Sequence, residues 1–240
     1  MEFYQSLAKY YDEIFPLKKA QETFIRNYLK QEALNSVLDV GCGTGSLATV
    51  LAQGGIAAHG VDLSTEMIEI ARKKAQAVGS PAMFSVADMR NLSGMEVEFD
   101  GIVCLGNTLA HVSGETELKQ VLTQFRLKAA HVLVQTVNYD RIIAKQIKEL
   151  PVIKTPSLTF QRFYTFCSDG GLDFTTKILF SDSGEEVSGV NRLYPVTCSE
   201  LRKAFEETGW KMTEQWGNFE KEPWTPDSPA TILAAKSVDA

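Results

Sequence analysis

Three glycines at alternate positions, Gly41, Gly43 and Gly45, follow an apolar run that ends in Asp39 and Val40 (VLDVGCGTGS, residues 37–46). Glycine lets a backbone turn tightly and approach a ligand closely. Such a turn suits a dinucleotide, a phosphate or a nucleoside with an amino-acid tail, or it is simply a strand-to-helix turn with no ligand. The nicotinamide-binding pattern is GxGxxG, whose third glycine allows close helix–strand packing. Here the third glycine comes one position early, and Ser46 stands in its place.

Three acids narrow the choice. Asp39 lies just before the glycines, where it would repel a pyrophosphate but suits a ligand ammonium. Asp62 can accept from both hydroxyls of a ribose. Asp88 can accept from an adenine amino group, a third acid that a dinucleotide site does not ordinarily need. A ligand with an ammonium, a ribose and an adenine fits all three.

The elements that must position these residues are legible from periodicity. Residues 20–33 read as a helix, with Phe24, Tyr28 and Leu29 at helical spacing. Short apolar runs at 37–40, 56–61, 81–87, 99–105 and 132–137 read as strands. Helices fall between them after residue 46, from Ser64 with Met67, Ile68, Ile70 and Ala71 as the apolar face, and over about 115–128. Strands alternating with helices imply a parallel sheet covered on both faces. In such sheets ligands sit at the carboxyl ends of strands, at the topological switch point. The glycine turn, Asp62, Asp88 and Gly106-Asn107 converge there.

After residue 150 the pattern changes to alternating stretches at about 158–167, 172–181 and 187–194, separated by DGG and DSGEE turns. On the first, Phe160, Arg162, Tyr164 and Phe166 share one face. The reading is an antiparallel excursion near residues 155–195, with residues 151–195 covering the site. A helix over 199–208, a strand from Lys211, the turn-rich EKEPWTPDSP and a last strand at 231–235 complete a single domain of residues 1–240.

The 240 residues are 44% apolar and 22% charged, a globular balance too short for two ordinary domains. A net charge of -6, with Lys18-Lys19 and Lys73-Lys74 the basic pairs, disfavours binding to a nucleic-acid backbone. No apolar run approaches the ~20 residues of a membrane span, and the N-terminus is no secretory signal. Cys42, Cys104, Cys167 and Cys198 are scattered, which argues against a disulfide framework and, with three histidines, against a metal site. The expectation is a cytoplasmic monomer or homodimer acting on a small molecule.

VLDVGCGTG, GVDLS with Met67 after it, ADMR and FDGIVCLGNTLAHV, in that order and spacing, resemble the class I S-adenosylmethionine-dependent methyltransferases over roughly residues 1–137. The resemblance implies a Rossmann-like, doubly wound α/β sheet of seven strands, the last inserted antiparallel. It implies S-adenosylmethionine as cofactor and S-adenosylhomocysteine as product, with no metal. Asp39, Gly41, Cys42 and Gly43 would back the methionine moiety and Asp62 would hold the ribose. Leu63 and Met67 would sandwich the adenine, Asp88 and the Met89 backbone would read its edge, and Leu105 and Gly106 would line the sulfonium. YQSLAKYYDEIF is similar to the lid segment of small-molecule members, so Tyr4 and Tyr11 are carried over as cofactor contacts and residues 1–30 as a helical lid. Each tyrosine could equally be packing an N-terminal helix.

LGNTLAHV, VNYDRI and RLYPVT resemble the glycine and sarcosine N-methyltransferases. No [ND]PP[YF] turn for a flipped base follows the fourth strand. The resemblance makes the Asn107 carbonyl the orienter of an amine nucleophile and Tyr194 a wall of the substrate pocket. One departure matters: the arginine that binds the substrate carboxylate in that group is Val137 here. Arg162, on the same face as Tyr164, could replace it by a bidentate grip, or be an ordinary strand arginine. His111 is the candidate base, or else fixes the loop or contacts the cofactor. His59 and His131 read as structural, and Cys42 as a small apolar filler. The expected activity is methyl transfer to an amine nitrogen of an amino-acid-like acceptor. Its rivals are O-methylation, a non-catalytic cofactor-binding protein, and an NAD-dependent oxidoreductase.

Overall fold

The computed structural model describes the backbone of residues 2–239 and the side chains of residues 8–239. Two helices open the chain, α1 (Glu2–Ile14) and α2 (Lys19–Gln31). Then come β1 (Ser36–Val40), α3 (Ser46–Gln53), β2 (Ala57–Asp62), α4 (Thr65–Ala77), β3 (Met83–Val86), β4 (Phe99–Cys104), α5 (Glu115–Arg126) and β5 (Ala129–Val137). A short helix α6 (Tyr139–Ala144) leads into β6 (Glu149–Lys154), β7 (Leu158–Phe166), β8 (Leu172–Phe180) and β9 (Glu186–Leu193). The chain closes with α7 (Cys198–Glu207), β10 (Trp210–Trp216) and β11 (Ala230–Ser237).

The main sheet has seven strands in the order β10-β11-β5-β4-β1-β2-β3. The five strands from β1 to β5 run parallel, and β11 inserts antiparallel between β5 and β10. This is the doubly wound α/β sheet expected from the sequence. Strand order reverses between β1 and β4, the switch point. β1 is apolar on both faces because helices cover both: Val37 and Leu38 are fully buried, and Val40 nearly so. Side chains of β1 therefore reach two separate core clusters, Leu38 and Val40 one, Val37 the other.

Local chemistry sets the helix starts. Ser64 accepts the Met67 N–H at 3.2 Å and caps α4. Thr197 and Glu200 form a reciprocal capping box at α7. Turn glycines do the same work at the ligand end. Gly45 begins α3 with φ 71°, and a Cβ there would lie 2.4 Å from the Phe84 ring and 2.8 Å from Ala71 Cβ. The early third glycine thus provides close helix–strand packing, the role GxGxxG assigns one residue later.

The second sheet has four antiparallel strands, β6-β7-β8-β9. The sequence reading found three of them. It missed β6 because ELPVIK contains Pro151, which argues against a strand; β6 is an edge strand whose register shifts between Leu150 and Ile153. It also missed α6, six residues long and too short to show a helical period. Helix α1 packs onto this sheet through a small apolar cluster of Ile14, Leu158, Phe160 and Ile178. Phe15 meets Phe160 edge-on at 5.6 Å, Tyr10 meets Phe180 at 5.4 Å, and Glu13 accepts the Ser157 N–H at 3.0 Å. No helix among the described residues is long and apolar enough to cross a membrane.

Candidate cofactor and acceptor site

Asp39 is the next-to-last residue of β1 and is 4% exposed. Its carboxylate faces the Ala48 N–H in the first turn of α3, which favours the charged form. That helix start favours negative charge, yet no cation stands beside Asp39 among the described residues. Burial, then repulsion from Asp62, pushes its pKa up to about 7. A buried carboxylate without a countercharge suits a ligand that brings an ammonium.

The turn beyond it has Gly41, Gly43 and Gly45 all in the left-handed region, at φ 73°, 54° and 71°. The Gly41 and Cys42 N–H groups are tied to the Val61 carbonyl at 2.8 and 3.0 Å. Asp62, at the end of β2, takes the Gly43 N–H on one oxygen and the Ser64 N–H on the other, both at 2.9 Å. Each oxygen keeps a lone pair, the requirement for gripping a diol. Cys42 packs into the core beside α3 and burial pushes its thiol up, as befits an apolar filler. Leu63 is 64% exposed and Met67 buried, on either side of the Ser64 cap.

Tyr11 lies over the turn: a Cβ on Gly43 would come within 3.0 Å of its ring. Burial, then the charges of Asp62 and Asp39, pushes the Tyr11 phenol up to about 12. Tyr4 belongs to α1, but its side chain lies outside the described residues. Asp88 is gripped by Arg90, at 2.8 Å and 3.0 Å from Nε and 2.6 Å from Nη2, and also takes the Arg90 N–H. That grip holds its carboxyl below the usual range. An adenine amino group would share this carboxylate with Arg90. Met89 follows in the same turn and is half-buried.

The turn after β4 runs through Leu105, Gly106 and Asn107. Gly106 and Asn107 are consecutive left-handed residues, at φ 67° and 72°. A Cβ on Gly106 would meet nothing within 4 Å, so the backbone here borders open space. A 3₁₀ turn, Thr108–His111, follows. His111 is exposed; partial desolvation lowers its pKa, with Asp62 opposing.

Two substrate-side candidates, Asn107 and Tyr194, are tied to neighbouring groups. Asn107 was expected to offer a carbonyl to an amine. Its Oδ1 already accepts the Val137 N–H at 3.1 Å, and its main-chain oxygen accepts the Ala110 N–H at 3.1 Å. Each keeps only its second lone pair. Tyr194 directs its hydroxyl to Glu200 at 3.0 Å, towards the start of α7. Arg162 and Tyr164 do lie side by side on the inner face of β7. The Arg162 Nη2 donates to the Pro151 carbonyl at 2.9 Å, while its Nε is buried without a partner.

Sequence reasoning did not single out Tyr139, Gln135, Asp12, Lys74 or Arg90. Tyr139 is fully buried and its hydroxyl accepts from Asn107 Nδ2 at 2.8 Å. The only signal for it was its place in VNYDRI.

The sheet order, with the glycine turn, Asp39 and Asp62 at its switch point, defines a protein of the doubly wound α/β class. Residues 37–128 match the family described as a methyltransferase domain. A protein of Geobacillus sp. (strain WCH70) named as a methyltransferase is 35% identical over 126 residues, 50% of this chain and 51% of that protein. The glycine/sarcosine N-methyltransferase of Parasynechococcus marenigrum (strain WH8102) is 25% identical over 228 residues, 87% of this chain and 74% of that enzyme. Among solved structures, a S-adenosylmethionine-dependent methyltransferase from Clostridium acetobutylicum superposes with a TM-score of 0.85 at 16% identity, covering 98% of this chain and 99% of that one. The chain spans about half the length of the first of these relatives. Residues 37–128 thus match a methyltransferase domain, and the whole chain shares the fold of the Clostridium acetobutylicum structure.

Proposed function

We propose that the protein transfers a methyl group from S-adenosylmethionine to a small molecule, at an amine nitrogen of an amino-acid-like acceptor. When bound, the cofactor supplies a methyl group on a sulfonium sulphur, which a lone pair displaces in line across about 3 Å. The observation that carries the reading is Asp39: a buried carboxylate without a cation, two residues from a glycine turn and facing the charge of Asp62. Asp39 would take the ammonium, Asp62 the ribose hydroxyls, and the Leu105–Asn107 turn would border the reacting centre.

On the acceptor side Val137 offers no charge, whereas Arg162 has a buried donor without a partner beside the Tyr164 hydroxyl. A carboxylate would satisfy both. Neutral His111 can take a proton from an incoming ammonium, or simply hold its turn. Helix α1 would act as the lid and residues 151–195 as the cover of one domain. A relative named for N-methylation of glycine and sarcosine supports nitrogen as the acceptor atom.

Calorimetry with S-adenosylmethionine and S-adenosylhomocysteine, with NAD as competitor, tests the cofactor. A labelled-methyl screen of amines, amino acids and phenols, read by product mass, tests the acceptor. The expected result is N-methylation of carboxylate-bearing amines, with Arg162→Met raising KM for them and leaving cofactor affinity unchanged. Absence of cofactor binding at millimolar ligand overturns the reading. Binding without turnover leaves a cofactor-binding module, and methylation of phenols alone moves the chemistry to oxygen.

A further inference from the structure

The turn that borders the reacting centre holds two consecutive left-handed residues, and one of them, Asn107, is not glycine. Asparagine is among the few residues with a Cβ that adopt left-handed backbone readily, and here its side chain is held as well. The holders all come from β5 and the residues after it. Gln135 accepts the Gly106 N–H on its side-chain oxygen at 2.9 Å and the Asn107 N–H on its main-chain oxygen at 3.4 Å. The Val137 N–H donates to Asn107 Oδ1, and Asn107 Nδ2 donates to the Tyr139 hydroxyl. The Asn107 amide is thereby fixed in orientation at both ends.

The Tyr139 hydroxyl also neighbours that of Tyr164 on β7, so the two phenols feel each other. A row of three polar groups therefore runs from the Asn107 amide, bonded to the Tyr139 hydroxyl, to the neighbouring hydroxyl of Tyr164. It joins the turn after β4 in the main sheet to β7 in the second sheet. Tyr139 and Tyr164 are 0% and 3% exposed, so water cannot readily replace either partner.

We infer that Tyr139 is a positioning residue: through its hydroxyl it fixes the Gly106-Asn107 turn against the cofactor and couples that turn to the sheet that covers the acceptor, without touching either ligand. This deepens the methyl-transfer reading and rests on it. The consequence is that a change on the cover sheet is felt at the cofactor pocket.

The test uses the full chain, with S-adenosylhomocysteine affinity by calorimetry as the readout and thermal melting of the ligand-free protein as the control. Tyr139→Phe is expected to weaken affinity roughly threefold to tenfold, the range for one neutral hydrogen bond. Tyr164→Phe is expected to weaken it as well, although Tyr164 lies on the other sheet. The double variant should bind no worse than Tyr139→Phe, because both substitutions interrupt one row. A merely structural role would lower the melting temperature of either variant and leave affinity unmoved; that result overturns the inference, as does strict additivity. If Tyr139→Phe does not fold, Tyr164→Phe decides alone. Failure of the unaltered protein to bind S-adenosylhomocysteine would instead overturn the methyl-transfer reading.

Discussion

The Asp12 carboxylate on α1 lies 2.5 Å from Lys74 Nζ on α4. It also accepts from Thr44 Oγ1 at 2.6 Å and Ser46 Oγ at 3.0 Å, and Lys74 donates to both hydroxyls at 3.0 and 2.9 Å. Four groups, from α1, the glycine turn with the start of α3, and α4, thus meet beside Tyr11. Asp12→Asn should loosen α1, so trypsin should cut at Lys18 and Lys19 several-fold faster, with S-adenosylhomocysteine restoring protection. Burial alone would raise the Asp12 pKa, but the bonds from Lys74, Thr44 and Ser46 outweigh it and lower it. Its contribution is therefore complete above the unfolded value near pH 4 and fades as pH falls through the lowered value. Resistance to a protease active in acid should decline only below about pH 4.

Asp62 holds two backbone N–H groups and is assigned the ribose. Asp62→Ala should reduce cofactor affinity by roughly tenfold to a hundredfold, the range for hydrogen bonds to a charged group. The far-ultraviolet dichroism should be retained. Unchanged affinity by calorimetry would sink the ribose assignment.

Asp39 makes a pH prediction of the opposite sign. Its folded pKa, about 7, lies above the unfolded value, so the folded protein keeps a proton that the unfolded chain releases. The group costs stability progressively as pH rises from about 4 to 7. Asp39→Asn should melt higher than the unaltered protein at pH 8, yet bind S-adenosylhomocysteine more weakly. In the unaltered protein, affinity should rise from pH 6 to pH 8 with proton release. Calorimetry in buffers of different ionisation enthalpy reads that release, and a pH-independent affinity would count against the ammonium pairing.

Gly45→Ala puts a Cβ into the Phe84 ring at a left-handed position. Backbone strain and overpacking together should cost about 2–5 kcal/mol, a fall in Tm of roughly 10 °C. Thermal unfolding of the ligand-free variant measures it directly. A change within a degree would mean that Phe84 yields at little cost.

The sheet was legible in the sequence because its signals are local. Each buried strand is a short apolar run, and each acid at the ligand end lies at or just beyond the carboxyl end of one. Asp39, Asp62 and the glycines could be placed from a few neighbours alone. Lys74 was visible only as half of a short basic pair, and Asp12 only as a charge within a helix; their meeting depends on how α1 docks. The Asn107–Tyr139–Tyr164 row was equally hidden. Its members come from a turn, a six-residue helix and a strand of a second sheet, and only the packing of the two sheets brings their polar atoms together. Pro151 concealed β6, since a proline is tolerated on an edge strand but reads as a break.

Helix α1 touches the glycine turn through Tyr11 and Asp12, and touches the second sheet through Tyr10, Ile14 and Phe15. One rigid element thus bolts two doors, and it hangs on the four residues from Phe15 to Lys18. A ligand under the turn and a ligand under the cover would both have to pass the same helix. Methyl transfer by the proposed route should then show an ordered pattern of product inhibition, with the deeper ligand first to enter and last to leave.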